Sequence, residues 1–102
     1  MSLPVEESEF VYCDVQDILR YLKKRNPASV AHFNDAFKAS VDLLARMPEI
    51  GRPRSDLGSE QMRSWRIRKF PRYLIFYEVL PDRLRLLRVL HGYRDLQEIF
   101  GG

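Results

Sequence analysis

Two amphipathic helices are predicted from the apolar residues in the first half of the chain. Within Phe10–Arg25 the spacing between successive apolar residues is four, three and four positions, which places them on one face of a helix. These residues are Val11, Val15, Ile18 and Leu22. A second stripe of helical period lies in Ala28–Met47, formed by Val30, Phe33, Ala36, Phe37, Val41 and Leu44. Asn26-Pro27 separates them, because proline disfavours helical geometry in the residue before it and fits the first turn of a helix. So short a break predicts an antiparallel α-hairpin.

The period of the pattern changes in the second half, where strands are predicted. The stretch Glu49–Gln61 contains Gly51 and Pro53 and is typical of a loop. Alternation of apolar and polar residues over Arg63–Phe70 predicts a half-buried strand, followed by a turn at Pro71-Arg72. The next two predicted strands are Tyr73–Leu80, which is almost continuously apolar and aromatic, and Leu84–Leu90, whose alternation slips at Leu86-Leu87 and predicts a bulge.

This order of elements predicts an α+β fold. A single domain spanning residues 1–102 would have its N-terminal α-hairpin packed on one face of a small antiparallel β-sheet, a meander of the three strands. Residues 3–8 would form at most a short edge strand, since Pro4 cannot donate to a ladder. Asp95–Phe100 would form a short C-terminal helix.

The positive charge is concentrated in the second half of the chain. The net charge is +3, with a balance of −2 over residues 1–51 and +5 over residues 52–102. Ten of the eleven cationic residues in the second half are arginines, whose planar guanidinium groups suit phosphate and carboxylate partners. An acidic macromolecule is therefore the expected partner.

Several functional classes are excluded by composition. The single cysteine, Cys13, cannot form an internal disulfide, which argues against a secreted disulfide scaffold. No apolar run approaches the ~20 residues of a membrane span, and the first residues lack the features of a secretory leader, so a cytoplasmic location without membrane contact is expected. Two histidines and one cysteine, widely spaced, predict no metal site, and no glycine-rich phosphate loop or other cofactor motif is present.

Five motifs, in order along the chain, resemble the ParE branch of the RelE/ParE toxin superfamily, the toxins of bacterial type II toxin–antitoxin modules. They are Asp14-Val15 with Ile18 and Tyr21, Arg25-Asn26-Pro27, the loop Met47–Pro53, the strand Tyr73–Tyr77, and the C-terminal segment Arg88–Leu96. The resemblance covers nearly the whole chain. Tyr93 is bulkier than the small residue expected between the glycine and the arginine of the last motif.

The resemblance implies a growth-inhibiting toxin that is neutralised by a small cognate acidic antitoxin. ParE-type members bind DNA gyrase and trap it on cleaved DNA, which is the favoured function and requires no catalysis by the toxin. Two alternatives stay open: a RelE-type endonuclease that cuts mRNA on the ribosome, and a degenerate toxin that only binds its antitoxin. A homodimer and a toxin–antitoxin hetero-oligomer are both compatible with the sequence.

Candidate site residues follow from the charges and the resemblance together. Target binding is predicted for a basic face and the C-terminal motif, comprising Arg52, Arg54, Arg66, Arg68, Arg88, His91 and Arg94. Antitoxin binding is predicted for Asp14, Asp17, Tyr21 and Tyr73. If the protein were a nuclease, the catalytic set would be His91, Tyr93, Arg66 and Arg88, with Glu60 or Glu78 as the base, because RNA cleavage needs an acid, a base and cations at the phosphate.

Overall fold

The predicted α-hairpin is confirmed in the computed structural model, which describes residues 2–92 and 96–100. Its helices are α1 (Glu9–Arg25) and α2 (Ser29–Arg46). Ser8 caps α1, because its side chain accepts the Phe10 N–H. The hydroxyl of Ser8 also donates to the Leu87 carbonyl at 2.6 Å, which fixes the start of α1 against the sheet.

The sheet has five strands in the order β1-β5-β4-β3-β2. Their bounds are β1 (Val5–Glu7), β2 (Arg52–Pro53), β3 (Met62–Ile67), β4 (Phe70–Val79) and β5 (Leu84–His91). The N-terminal edge strand is thus confirmed, but it pairs in parallel with β5, so the sheet is mixed rather than purely antiparallel. A short helix, α3 (Leu96–Phe100), follows the sheet as expected.

Two local predictions about the strands are wrong. The turn between β3 and β4 lies at Arg68-Lys69 and not at Pro71-Arg72, because Lys69 adopts the left-handed conformation (φ 73°) that lets Ile67 pair with Phe70. Pro71 lies inside β4, near its start. The predicted loop also contains β2, whose two residues pair with Arg63 and Ser64. Two residues are too few to show an alternating pattern.

The predicted bulge in the last strand is confirmed. Phe76 on β4 pairs with Arg88, and its neighbour Tyr77 pairs with Leu86. Leu87 therefore has no partner of its own on β4, as the extra residue of a bulge. The carbonyl of this extra residue accepts the hydroxyl of Ser8, the N-cap of α1.

Apolar side chains cover both faces of the sheet. Against the α-hairpin lie buried residues of both layers, among them Val11, Phe33, Leu44, Ile75, Tyr77 and Leu86. The opposite face is covered by α3 and the loop after β2, with Leu57, Met62, Leu74, Phe76 and Leu90 at its centre. Phe76 and Tyr77 are completely buried, so these two aromatic residues pack in the core and do not present their rings to a ligand.

Within the described residues, no helix combines the length and apolar character needed to cross a membrane.

Candidate functional site

All four residues predicted to bind an antitoxin line one cavity. It lies between α1 and the C-terminal half of β5 and has a volume of about 330 Å³. We call it the α1–β5 cavity; its lining residues are Asp14, Asp17, Ile18, Tyr21, Tyr73, Val89, Leu90 and His91. The sequence places these residues in three distant segments, and the packing of α1 against β5, together with the pairing of β4 and β5, brings them together.

Asp14 forms the inner end of this cavity and is held by β5. Its carboxylate oxygens accept hydrogen bonds from Nε and Nη2 of Arg88 at 2.8 and 2.9 Å and from the backbone N–H of Val89 at 3.0 Å. These hydrogen bonds to Asp14 raise the pKa of the Arg88 guanidinium. Since β1 ends at Glu7, Asp14 satisfies a backbone donor at the part of the β5 edge that β1 does not reach.

The outer wall of the α1–β5 cavity is aromatic. The ring of Tyr73 meets the imidazole of His91 edge to face, with centroids 5.4 Å apart. Burial, and secondarily the neighbouring Tyr21, raise the pKa of the Tyr73 hydroxyl, which therefore stays protonated at neutral pH. Tyr21 is 51% exposed, and the guanidinium of Arg25 lies over its ring at 5.6 Å. A half-exposed tyrosine beside an apolar recess is a common anchor for a protein partner.

The five arginines predicted to form one basic face occupy three different places. Arg88 is engaged by Asp14 on β5, and its guanidinium also lies 4.9 Å from the ring of Phe10. Arg54 is buried and donates to Asp56 and to Ser64. Its hydrogen bond lowers the pKa of Asp56. Two of the five side chains, those of Arg54 and Arg88, are therefore engaged by internal partners.

The other three arginines lie toward the opposite edge of the sheet. Arg52 is exposed on β2, Arg66 is exposed near the end of β3, and Arg68 is exposed in the turn that follows β3. Arg66 donates to the carbonyl of Pro71 at 2.7 Å. These three residues remain candidates for contact with a macromolecule.

A second and larger cavity lies beside this edge, between α2 and β3. We call it the α2–β3 groove; its volume is about 1050 Å³, and it is lined by His32, Asp35, Ala36, Ala39, Ser40, Leu43, Arg46, Trp65, Arg66, Arg68 and Lys69. Its floor is apolar and its rim is cationic. The sequence analysis missed Arg46 and His32, which lie on α2, because only the packing of α2 across β3 brings them into one cavity with Arg66 and Arg68.

The described members of the catalytic set predicted for a nuclease lie on two strands of the sheet, and His91 is on β5. Arg66 lies on β3 and Arg88 on β5, with β4 between them. Of the two candidate bases, Glu60 is exposed in a loop and Glu78 lies 3.8 Å from Arg85. Tyr93 and Arg94 lie outside the described residues. Residues 2–92 and 96–100 contain no group of three or more side chains suited to a metal ion.

Comparison with known proteins connects this architecture with a family. The model of the family described as "ParE toxin of type II toxin-antitoxin system, parDE" matches residues 13–96. A solved structure described as "Chromosomal ParDE TA system from P. aeruginosa" superposes with a TM-score of 0.73 at 13% sequence identity, covering 88% of this chain and 96% of that chain. At that identity the likeness bears on the fold alone. No curated protein sequence matches the chain.

Proposed function

The chain belongs to the ParE toxin family of type II toxin–antitoxin systems, and from this premise we propose that it inhibits DNA gyrase by stoichiometric binding. It would act in the bacterial cytoplasm, where a cognate acidic antitoxin would neutralise it. The family match across residues 13–96 is the observation that carries this proposal.

The arrangement of the cationic residues supports binding rather than catalysis. Arg88 is committed to Asp14, and β4 separates it from Arg66, so the two cations expected at a scissile phosphate are on different strands. A phosphodiester reaction needs its acid, base and cations around one phosphate. Three exposed arginines, Arg52, Arg66 and Arg68, are instead available at one edge of the sheet. We assign target contact to these three, and an internal role to Arg54 and Arg88.

Purified toxin should block supercoiling by gyrase at molar ratios near one, because an inhibitor that acts by binding is consumed stoichiometrically. Replacing both Arg66 and Arg68 by alanine should raise the toxin concentration needed for half inhibition about tenfold or more, since both are exposed and carry the proposed contact. The measurement is a supercoiling assay with increasing toxin, read from the distribution of DNA topoisomers.

The matched control replaces Lys23 and Lys24 by alanine. These two residues are exposed on α1, and their loss changes the net charge equally. Unimpeded gyrase at a clear molar excess of folded toxin would contradict the proposal. Discrete cuts in a translated mRNA, mapped by primer extension, would favour the nuclease instead.

We further propose that the antitoxin docks at the α1–β5 cavity. Support comes from its shape and lining: a recess of about 330 Å³ with apolar walls from Ile18 and Leu90 and a half-exposed tyrosine, Tyr21, at its mouth. Asp17 is exposed at the same rim and pairs with Arg20 at 3.0 Å. An anchoring side chain of the partner could fill the recess while its neighbours contact the polar rim.

Replacing Tyr21 by alanine should weaken antitoxin binding about tenfold or more, as is typical for a tyrosine at the centre of an interface. The free energy of unfolding should change by no more than about 0.5 kcal/mol, because the side chain is half exposed. Isothermal titration with the antitoxin gives the first quantity, and chemical denaturation gives the second.

Tyr12→Ala is the control for this experiment. Tyr12 lies on the same helix, is 69% exposed, and does not line the cavity. Equal affinities for the Tyr12→Ala and Tyr21→Ala variants would rule out the cavity as the docking site.

A further inference from the structure

The exposed side chain of Arg52 is carried by a backbone that the sheet holds on both sides. Arg52 is one of the two residues of β2 and pairs with Ser64. Just before β2 lies a single 3₁₀ turn, Pro48–Ile50, in which the Ile50 N–H donates to the Met47 carbonyl at 3.3 Å. The carbonyls at the end of so short a turn have no partner within it, so they need donors from elsewhere.

Arg63 supplies these donors from the neighbouring strand, β3. Its Nη1 donates to the Glu49 carbonyl at 2.9 Å and to the Gly51 carbonyl at 2.7 Å. Each terminal nitrogen of a guanidinium carries two N–H bonds, so one nitrogen can serve both carbonyls. The positive charge strengthens both hydrogen bonds. Arg63 is also paired with Pro53 in the ladder, so one residue contacts the chain on either side of Arg52.

These hydrogen bonds give the two arginines different tasks. Arg63 is half-buried and its guanidinium is engaged by the loop, whereas Arg52 is exposed. A contact residue whose backbone is already ordered loses less conformational entropy when it binds. Without the hydrogen bonds from Arg63, the hydroxyl of Tyr77 and the side chain of Ile50 would still hold the loop. Loss of Arg63 should therefore make the loop more mobile without unfolding the protein.

We propose that Arg63 is a positioning residue, which orders the backbone around Arg52 so that the Arg52 guanidinium meets the target from a fixed place. The inference rests on the proposed target contact of Arg52 and adds the residue that prepares this contact. Arg63 acts through Arg52 and does not itself touch the target. Its own guanidinium is occupied by the carbonyls of Glu49 and Gly51.

A double-mutant cycle of Arg63 and Arg52 separates positioning from direct contact. Arg63→Met removes the donors and keeps an unbranched apolar stem. In the supercoiling assay it should raise the toxin concentration needed for half inhibition about fivefold. In an Arg52→Ala background the same substitution should change that concentration by less than about twofold. A positioning residue has no further effect once the residue that it positions is gone.

Two control variants test for effects of charge alone. Lys24→Met removes one positive charge from an exposed position on α1 and should change half inhibition by less than about twofold in either background. Arg63→Lys keeps the charge and a donor group, so it should inhibit gyrase better than Arg63→Met does.

Backbone mobility provides a readout that needs no gyrase. The NMR order parameters of the Gly51 and Arg52 amides should be about 0.85 in the parent protein, as in rigid backbone, and should fall below about 0.6 in Arg63→Met. The order parameter of the Val89 amide, which is held by Asp14 on β5, should not change. The cycle can also be read from the growth arrest that follows expression of the toxin, because this readout does not depend on the identity of the target.

Several outcomes would overturn the inference. Equal losses from Arg63→Met in the two backgrounds would show that Arg63 acts independently of Arg52. Unchanged order parameters at Gly51 and Arg52 would show that Arg63 does not order the loop. If the parent toxin leaves gyrase unimpeded, the proposed function fails, and the cycle read from growth arrest still decides the role of Arg63. A parent protein that neither inhibits gyrase nor arrests growth would refute the target contact of Arg52 and this inference together.

Discussion

Replacing Asp14 by alanine should lower the free energy of unfolding by about 3–5 kcal/mol, the largest effect expected of any charged residue described here. The Asp14 side chain is 8% exposed and that of Arg88 is 23% exposed, so the pair is largely shielded from water. Removal of the carboxylate leaves the guanidinium without its counterion and the Val89 N–H without its acceptor. Both groups then lose the interactions that offset their desolvation. Urea denaturation, followed by the fluorescence of Trp65, measures the loss.

The matched control is Asp17→Ala, one helical turn further along α1. The Asp17 side chain is 72% exposed and its partner Arg20 is 67% exposed, so removal of this ion pair should cost at most about 1 kcal/mol. The free energy of unfolding of Asp14→Asn should lie between those of the two aspartate-to-alanine variants, because the amide oxygen still accepts the Val89 N–H. If Asp14→Ala costs no more than Asp17→Ala, the ion pair does not stabilise the fold.

A double substitution distinguishes an unpaired charge from a lost packing contact. Replacing Arg88 by alanine in addition to Asp14 removes the uncompensated charge, so the double variant should be less destabilised than the sum of the two single variants. Additive effects would contradict coupling between the two side chains. If the effects are not additive, the presence of Arg88 in the C-terminal motif is explained by the stability it gives to the junction between α1 and β5. A contact with a target is then not needed to explain it.

The helices could be predicted from the sequence because each of them carries a continuous stripe of helical period. The bounds agree to within a residue: α1 begins at Glu9 and α2 ends at Arg46. The central strand was also identifiable, since eight successive residues from Tyr73 are mostly apolar or aromatic. Local periodicity is a strong signal when an element is long enough to repeat it.

Features that depend on contacts between distant segments could not be predicted. The parallel pairing of Val5 with Leu84 joins segments at opposite ends of the chain, and nothing in either segment specifies the direction. The arginines of β5 and β3 look alike in sequence, yet Arg88 is paired with Asp14, while no carboxylate of the described residues lies within ion-pair distance of Arg66. Only the crossing of α1 over β5 creates that difference. Charge counts therefore predicted a basic half of the chain correctly but not which of its arginines are available to a partner.

Gly51→Ala should lower the free energy of unfolding by about 3 kcal/mol, because a side chain at this position has no space. The backbone there is extended (φ −69°, ψ 157°) and open to any residue, so conformation does not require glycine. A Cβ atom would instead overlap the hydroxyl of Tyr77 and lie 2.8 Å from Cε1 and 2.9 Å from Cζ. Tyr77 is completely buried at the centre of the sheet, so its ring cannot move aside without disturbing the core.

The hydroxyl of Tyr77 joins the loop that contains Gly51 to the sheet, so its displacement would lower the free energy of unfolding further. It accepts the Gly51 N–H at 2.9 Å and donates to the Pro48 carbonyl at 2.8 Å. Burial raises the pKa of Tyr77, so the hydroxyl stays protonated and keeps both hydrogen bonds at neutral pH. Tyr77→Phe alone should cost about 1–2 kcal/mol through the two polar groups left without a partner.

Gly92→Ala serves as the glycine control. The nearest atom to a Cβ at Gly92 is the Arg72 carbonyl oxygen at 3.4 Å, an ordinary contact, so a cost below about 1 kcal/mol is expected. In the double variant Gly51→Ala/Tyr77→Phe, loss of the hydroxyl relieves the closest overlap, and the total cost should be smaller than the sum of the single costs. Equal stability of Gly51→Ala and Gly92→Ala would refute the steric argument. The expected result would show that the glycine in the Met47–Pro53 motif provides room for the tyrosine that anchors this loop to β4.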